Sequence, residues 1–238
     1  MSVLDQLATR TALRDLKATP LVLLANTKVT AGGLPGIDSA SGRMCLSLTA
    51  NHLRIGSRNF VTIGGAPADS VITCQMIYTP MRTNVMVGRT AATQRIQPGL
   101  NELWVTTRQT GCTVLVLDWG AAGQAMVHLQ PHTAAQFNRP TRYLFGQSRT
   151  LATSTKNYYL RQDVTAVATA TGGGVAPQRY LLVQSGYTNA LGHLQIIGVR
   201  NGPGWDFYSQ IDQAGVFTAA ALPWQAWSSW WPYVAAHS

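Results

Sequence analysis

The first hydrophobic pattern in the chain is helical. Ser2, followed three residues later by Asp5, resembles a capping box, and Pro20 is a signal that ends helices. Between them leucines recur with roughly helical spacing, at Leu4, Leu7, Leu13 and Leu16. The pattern predicts a helix over residues 2–16.

Beyond Pro20 the apolar positions fall in short runs that are rich in β-branched and aromatic residues and bounded by turn residues, which is typical of β-strands. Predicted strands cover residues 21–25, 44–49, 60–63, 71–78, 85–87, 102–107, 112–118, 125–130, 158–161, 180–184, 194–200 and 205–211. So many strands within one domain imply two packed sheets.

Length and charge say less about the fold and the function than the hydrophobic pattern does. The chain has 238 residues, enough for one large core, and no linker-like stretch divides it, so we expect a single domain over residues 1–238. Eighteen Lys and Arg residues against nine Asp and Glu give a net charge of +9. An acidic partner is one interpretation of this charge. The scatter of the basic residues favours the other, a solvated basic surface.

The three cysteines are an odd number at wide spacings, so they do not predict a disulfide framework. Cys45 and Cys74 lie in predicted strands, where buried thiols are expected, and no spacing indicates a metal site. The N-terminus lacks the pattern of a Sec signal peptide, and no stretch approaches the ~20 apolar residues that span a bilayer. Export would therefore need a specialised machine or a partner.

Cys112 has the setting of a catalytic thiol. It follows Gly111 in a tight turn and opens the predicted strand 112–118, while His128 lies on the returning strand beyond the Gly-rich turn 118–123. A nucleophilic cysteine needs an imidazole brought in from elsewhere in the fold. If the hairpin pairs symmetrically, both residues lie at its same end, where opposite side chains are ~5 Å apart.

These residues resemble a known enzyme family. Over residues 95–140 the chain carries Gln97-Pro98-Gly99, then Thr110-Gly111-Cys112, then His128 and Ala135-Gln136-Phe137. This order resembles the catalytic core of the bacterial glutamine deamidase toxins of the Burkholderia lethal factor and cytotoxic necrotizing factor type. Gln109 and Thr110 stand where the motif has Leu and Ser, and the interval from Cys112 to His128 is longer.

The resemblance implies a fold and a site. The family's core is a sandwich of two mixed sheets flanked by helices and loops. Its third site member is the main-chain carbonyl six residues before the cysteine, here Thr106, which would orient His128. Backbone amides of Gly111 and Cys112 would stabilise the oxyanion. Arg108 and Arg139 are candidate substrate contacts, and neither a cofactor nor a metal is expected.

The resemblance also implies an activity. A thiol mechanism would convert a glutamine of a target-cell protein into glutamate. The chain would act as a monomeric toxin or effector, secreted or injected without a Sec signal, in the cytosol of the target cell. No membrane association is expected, and nothing in the sequence argues directly for nucleic acid.

Alternatives remain at several positions. His132 is a rival base, although it follows Pro131 and should lie past the strand end, and Asp118 is a rival orienter at the opposite end of its strand. A cysteine peptidase or amidase of another family would place its cysteine at a helix start, which Val114 to Leu117 disfavour. A basic β-rich module that binds nucleic acid or another anionic ligand is the non-enzymatic alternative.

Two further patterns have structural explanations. The glycines at 172–174 lack the Gly-Lys-Ser/Thr of a phosphate-binding loop, so a flexible loop is expected. Trp224, Trp227 and Trp231 would share a face of a C-terminal helix. That face would either fill the core, which we favour, or dock a partner.

Overall fold

The computed structural model describes residues 2–32, 40–63, 65–79, 81–82, 100–109, 113–129, 165, 168–169, 172–184 and 193–230. The chain forms two compact units, each assembled from three stretches. The first unit comprises Met1–Pro80, Pro98–Gln109 and Ala190–Leu222, and the second comprises Met81–Gln97, Thr110–Asn189 and Pro223–Ser238. The predicted α/β class, with two mixed sheets and more strand than helix, is confirmed. A single domain over residues 1–238 stays a prediction.

The predicted N-terminal helix is confirmed as α1, Ser2–Ala18, which buries Ala12 and Leu16. A second helix, α2, follows at Pro20–Asn26, so the predicted strand 21–25 is wrong. Proline suits the first turn of a helix because its fixed φ is already helical. A short apolar run cannot be assigned to helix or strand by periodicity alone.

The predicted strand 60–63 is also wrong, because Arg58–Thr62 form a short helix, α3. Ser57 caps this helix, and its hydroxyl accepts a hydrogen bond from the Phe60 amide at 3.2 Å. Serine is among the preferred residues at this position. The cap decides the local structure against the strand propensity of the residues that follow.

The first unit holds an eight-stranded mixed sheet, with strands numbered along the whole chain. Its strands are β1 (Lys28–Gly32), β2 (Ala40–Thr49), β3 (His52–Gly56), β4 (Ile72–Thr79), β6 (Leu103–Thr106), β10 (His193–Asn201), β11 (Gly204–Gln213) and β12 (Val216–Ala221). Their spatial order is β1-β3-β2-β4-β6-β10-β11-β12, with β1–β3 and β4–β6 parallel and the other neighbours antiparallel. Three of them, β1, β3 and β12, have no counterpart among the predicted strands.

The outer edge of β1 is covered by two buried glutamines. Gln195 on β10 accepts a hydrogen bond from the Ala31 amide at 3.0 Å, and Gln210 on β11 accepts one from the Val29 amide at 2.8 Å. The sheet therefore curls until its first strand lies beside β10 and β11. Because unpaired strand edges expose backbone donors, the two carboxamides replace a missing neighbour strand.

The second unit holds a five-stranded sheet. Its strands are β5 (Met81–Arg82), β7 (Thr113–Asp118), β8 (Gln124–Leu129), β9 (Arg179–Gln184) and β13 (Gln225–Ala226), in the order β13-β9-β7-β8-β5. Only β5 and β8 pair in parallel. One face of β7 and β8 packs against aromatic residues, including Trp119, Tyr180 and Trp230.

The predicted C-terminal helix through Trp224 is wrong. The chain after Trp224 is extended, because β13 pairs with β9, and Trp227–Ser229 then form a single 3-10 turn. Trp227 and Trp230 stack with ring centroids 5.9 Å apart, and both contact the edge of Tyr180. Trp231 and the predicted strands 85–87 and 158–161 lie outside the described residues.

Candidate functional site

The predicted hairpin around residues 118–123 is confirmed. β7 and β8 pair antiparallel from Thr113 and Leu129 down to Asp118 and Gln124. The turn between them needs Gly120 and Gly123, whose φ angles are +63° and +104°. The Asp118 carboxylate closes the turn by accepting a hydrogen bond from the Gly120 amide at 2.7 Å.

The register of this hairpin sets the cross-strand partner of His128. Its partner on β7 is Val114, so the direct pairing of His128 with Cys112 expected from a symmetric hairpin is corrected by two residues. Strand alternation places His128, Val114 and Val116 on the face opposite Leu115 and Leu117. All five side chains are buried.

The imidazole of His128 is 0% exposed. Burial disfavours the charged form and lowers the pKa of His128 to about 3. The ring is therefore neutral at neutral pH, the protonation state that a general base requires. Once protonated, it would need a neighbouring negative charge to offset its desolvation.

Several predicted site residues lie outside the described part of the chain. These are Gly111, Cys112, His132 and Arg139. The described strand begins at Thr113, directly after the candidate nucleophile, and Thr113 pairs with both Leu129 and Gln184. The pairing of Cys112 with a base therefore stays a prediction.

Thr106 is the last residue of β6 in the first unit, and it is fully buried. Its carbonyl accepts a hydrogen bond from Nε2 of Gln195 at 2.8 Å, and its hydroxyl donates to the Thr79 carbonyl at 2.8 Å. Both bonds lie within the first unit and hold the backbone of Thr106 in place. Its predicted role as orienter of His128 stays a prediction.

Asp118, the rival orienter, is far from His128. It pairs with Gln124 at the turn end of the hairpin, whereas His128 pairs with Val114, four residues along the strand and roughly 13 Å away. The Asp118 carboxylate accepts a hydrogen bond from Nε of Arg179 at 2.5 Å. Asp118 therefore stabilises the turn and forms an ion pair, and its distance along the strand keeps it out of reach of the imidazole.

The other two thiols differ from a reactive cysteine. Cys74 is buried as predicted, and its thiol donates to the Glu102 carboxylate at 2.9 Å. Burial, followed by this hydrogen bond, raises the pKa of Cys74 far above its usual range, so it stays protonated. Cys45, on β2, is half-buried rather than fully buried.

Arg108 is exposed and immediately precedes Gln109, which forms an isolated bridge with Leu194 on β10. Its predicted substrate contact stays a prediction. The charge of Arg108 lowers the pKa of two histidines, His52 on β3 and His193 on β10. Neither histidine was singled out from the sequence, because residues on separate strands leave no local spacing to detect.

Sequence reasoning also missed Gln195, which holds both the β1 edge and the Thr106 carbonyl. Nothing local marks this residue, since the groups it binds are 164 and 89 residues away in sequence. Within the described ranges, no three His, Cys, Asp or Glu residues are grouped so that they could hold a metal ion. No helix in that part of the chain is long and apolar enough to cross a membrane.

Comparison with known proteins gives no relative: no protein-family model matches this chain, and no curated protein matches it.

Proposed function

We propose that the protein is a cysteine-dependent amidohydrolase that deamidates a glutamine side chain of another protein. One observation carries the proposal: His128 pairs with Val114, two residues after Cys112 in the sequence. Residues two apart in an extended strand share a face, and diagonal cross-strand neighbours lie ~7–8 Å apart at Cα. The proposal is that Cys112 continues this strand and so shares the face of His128.

The proposed chemistry begins with the thiol proton of Cys112 passing to His128. The sulfur attacks the carboxamide carbon of the glutamine, and the C–N bond breaks as His128 returns the proton to the departing ammonia. Water then cleaves the thioester, which restores the thiol and leaves glutamate. The sum is glutamine plus water giving glutamate plus ammonia.

The burial of His128 suits this cycle in one respect. A neutral imidazole accepts the proton, and the thiolate formed beside it supplies the negative charge that a buried imidazolium needs. Asp118 is the only carboxylate in the described strands of this sheet, and it lies about 13 Å from His128. An orienter that is not an acid, as the resemblance implies, fits that scarcity.

Thiol labelling tests the nucleophile. A thiol paired with an imidazole should react with iodoacetamide near pH 6, where an ordinary thiol of pKa ~8.5 is almost fully protonated. We expect alkylation at Cys112 and none at Cys74, whose pKa is raised. Cys112→Ser should abolish labelling, whereas the matched variant Cys45→Ser should leave it unchanged. Equal labelling of all three thiols would contradict the assignment.

Mass spectrometry tests the reaction. Wild-type protein incubated with target-cell lysate should convert particular glutamines to glutamate, a gain of ~1 Da per site, with release of ammonia. Cys112→Ser should give neither, while its circular dichroism spectrum stays unchanged. Alkylation of Cys112 without any such conversion would point to a thiol enzyme of another family.

A further inference from the structure

Three strands of the first unit, β1, β3 and β10, bring basic side chains together. On the parallel pair β1–β3, Lys28 lies opposite His52 and Thr30 opposite Arg54. The alternate residues of both strands, such as Val29 and Leu53, point into the core. Lys28, Thr30, His52 and Arg54 therefore share the solvent-facing side of this pair.

A second pair of strands reaches the same place. The ammonium of Lys28 forms an ion pair with Asp212 on β11, and the cross-strand partner of Asp212 is His193 on β10. Arg108 precedes Gln109, which bridges Leu194, the neighbour of His193. The cationic cluster thus consists of three cations, Lys28, Arg54 and Arg108, and of the two imidazoles beside them, His52 and His193.

The electrostatics of the two histidines support this convergence. Burial, followed by Arg54 and Lys28, with a smaller effect of Arg108, lowers the pKa of His52 to about 4, although Asp212 raises it. Burial, followed by Arg108 and Lys28, lowers the pKa of His193 against the same opposing effect of Asp212. Both imidazoles therefore lie in the field of Lys28 and Arg108.

One carboxylate cannot neutralise this cluster. The Asp212 carboxylate forms an ion pair with Lys28, whereas Arg54 and Arg108 have no carboxylate partner among the described residues. Arg54 lies over the Phe60 ring at 5.9 Å, a contact that restrains its guanidinium. Nδ1 of His193 is buried without a hydrogen-bond partner in the part of the chain that the structure describes.

We propose that the cationic cluster of Lys28, His52, Arg54, Arg108 and His193 is a binding site for a phosphate group, either free or as a monoester on a larger molecule. Two guanidinium groups supply charge-assisted donors, and the imidazole of His193 supplies a further hydrogen bond. The Thr30 hydroxyl and Nε2 of His52 are hydrogen-bonded to each other at 2.9 Å. A tetrahedral dianion matches both the excess charge and the number of donors. The proposal is independent of Cys112 and of any deamidase activity.

Sulfate is the first probe, because it is a dianion throughout the pH range and so separates protonation of the protein from that of the ligand. Isothermal titration calorimetry on the full chain, at constant ionic strength, should show saturable binding to one site. An anion stabilises imidazolium, so by linkage the affinity should rise as the pH falls towards about 4, the pKa of His52.

Arg54→Gln and Arg108→Gln should each weaken sulfate binding about tenfold or more, since each removes a charge-assisted hydrogen bond. The matched control is Arg43→Gln, which removes the same charge from an exposed site on β2 and should change the affinity by less than about twofold. In NMR titrations, sulfate should raise the pKa of both His52 and His193.

Phosphoserine and inorganic phosphate distinguish the two sources of the group. Tighter binding of phosphoserine assigns the site to monoesters, and equal or weaker binding assigns it to the free anion. Absence of saturable binding of any of these probes would overturn the proposal. The proposal would also be overturned if Arg43→Gln and Arg108→Gln weakened sulfate binding equally. That result would show that the anion is attracted by the net charge of the protein and not by one site.

Discussion

At the scale of single residues, the burial of His128 has two opposite consequences for the proposed chemistry. Its burial makes the imidazole neutral, which suits a proton acceptor, but the same burial makes the protonated state unfavourable without a negative neighbour. A thiolate two residues from its cross-strand partner would be such a neighbour. His128 is therefore the residue whose replacement tests the proposed chemistry most directly.

We predict that His128→Ala lowers the rate of ammonia release by about 10²- to 10⁴-fold, the usual contribution of a general acid–base group. His132→Ala, the control on the rival base, should have a small effect. Because His128 is fully buried, urea unfolding should accompany the assay so that only folded protein is compared. A larger loss in His132→Ala would move the base to that residue.

Asp118→Asn separates a structural carboxylate from a catalytic one. The variant should keep most of the wild-type rate, because the register places Asp118 at the far end of β7 from His128. It should lose roughly 1 kcal/mol of unfolding free energy, since the ion pair with the half-exposed Arg179 becomes a neutral hydrogen bond. Assays of ammonia release and urea unfolding of the same variant measure the rate and the stability. A rate lower by orders of magnitude would mean that Asp118 orients His128.

At the scale of elements, the edge of β1 is held by side chains instead of a strand. Gln210 accepts from the Val29 amide and donates to the carbonyls of Leu24 and Thr27 at 2.5 and 2.7 Å. One glutamine thus ties β11 to β1 and to the end of α2. Such buried amides are costly to remove, because their backbone partners would be left unsatisfied.

Gln210→Leu should therefore destabilise the fold by about 3 kcal/mol or more, because three buried backbone groups lose their partner. Gln75→Leu is the matched control: it makes the same change at an exposed position on β4 and should cost less than about 0.5 kcal/mol. Urea unfolding of the two variants measures the difference. Equal stabilities would mean that β1 does not depend on the glutamine clamp.

At the scale of the whole molecule, the histidines make stability depend on pH. Burial lowers the pKa of His52 to about 4 and of His128 to about 3, so both are neutral in the folded state at pH values where the unfolded chain takes up protons. Their stabilising contribution is present above about pH 6.5 and is lost as the pH falls towards those values.

Urea unfolding should show a free energy that falls by up to roughly 1.4 kcal/mol per pH unit for each histidine between about pH 6.5 and pH 4. His52→Gln should flatten this slope. The pKa values of Glu102 and Asp212 are lowered, so the stability that these two carboxylates contribute is lost at more acidic pH, as they become protonated. A slope unchanged in His52→Gln would contradict the assigned pKa.

Local patterns were sufficient for much of the fold. Helical leucine spacing predicted α1, alternation and turn residues predicted strands such as β7, β8, β10 and β11, and the Gly-rich turn predicted the hairpin that carries His128. These features depend on neighbours in sequence, whose propensities and spacing are visible in one dimension. The errors at 21–25 and 60–63 arose where Pro20 and Ser57 begin helices in β-prone sequence.

The sequence by itself determined that this chain is rich in strands, carries a basic charge and places His128 on the returning arm of a hairpin. Only the tertiary structure decided the cross-strand partner of His128, the carboxamides that cover β1 and the convergence of Lys28, Arg54 and Arg108. The physical reason is distance along the chain. The contacts of these residues, from Val114 and His128, 14 positions apart, to Val29 and Gln210, 181 positions apart, are set by how strands pair and how a sheet curls, and no local spacing encodes either.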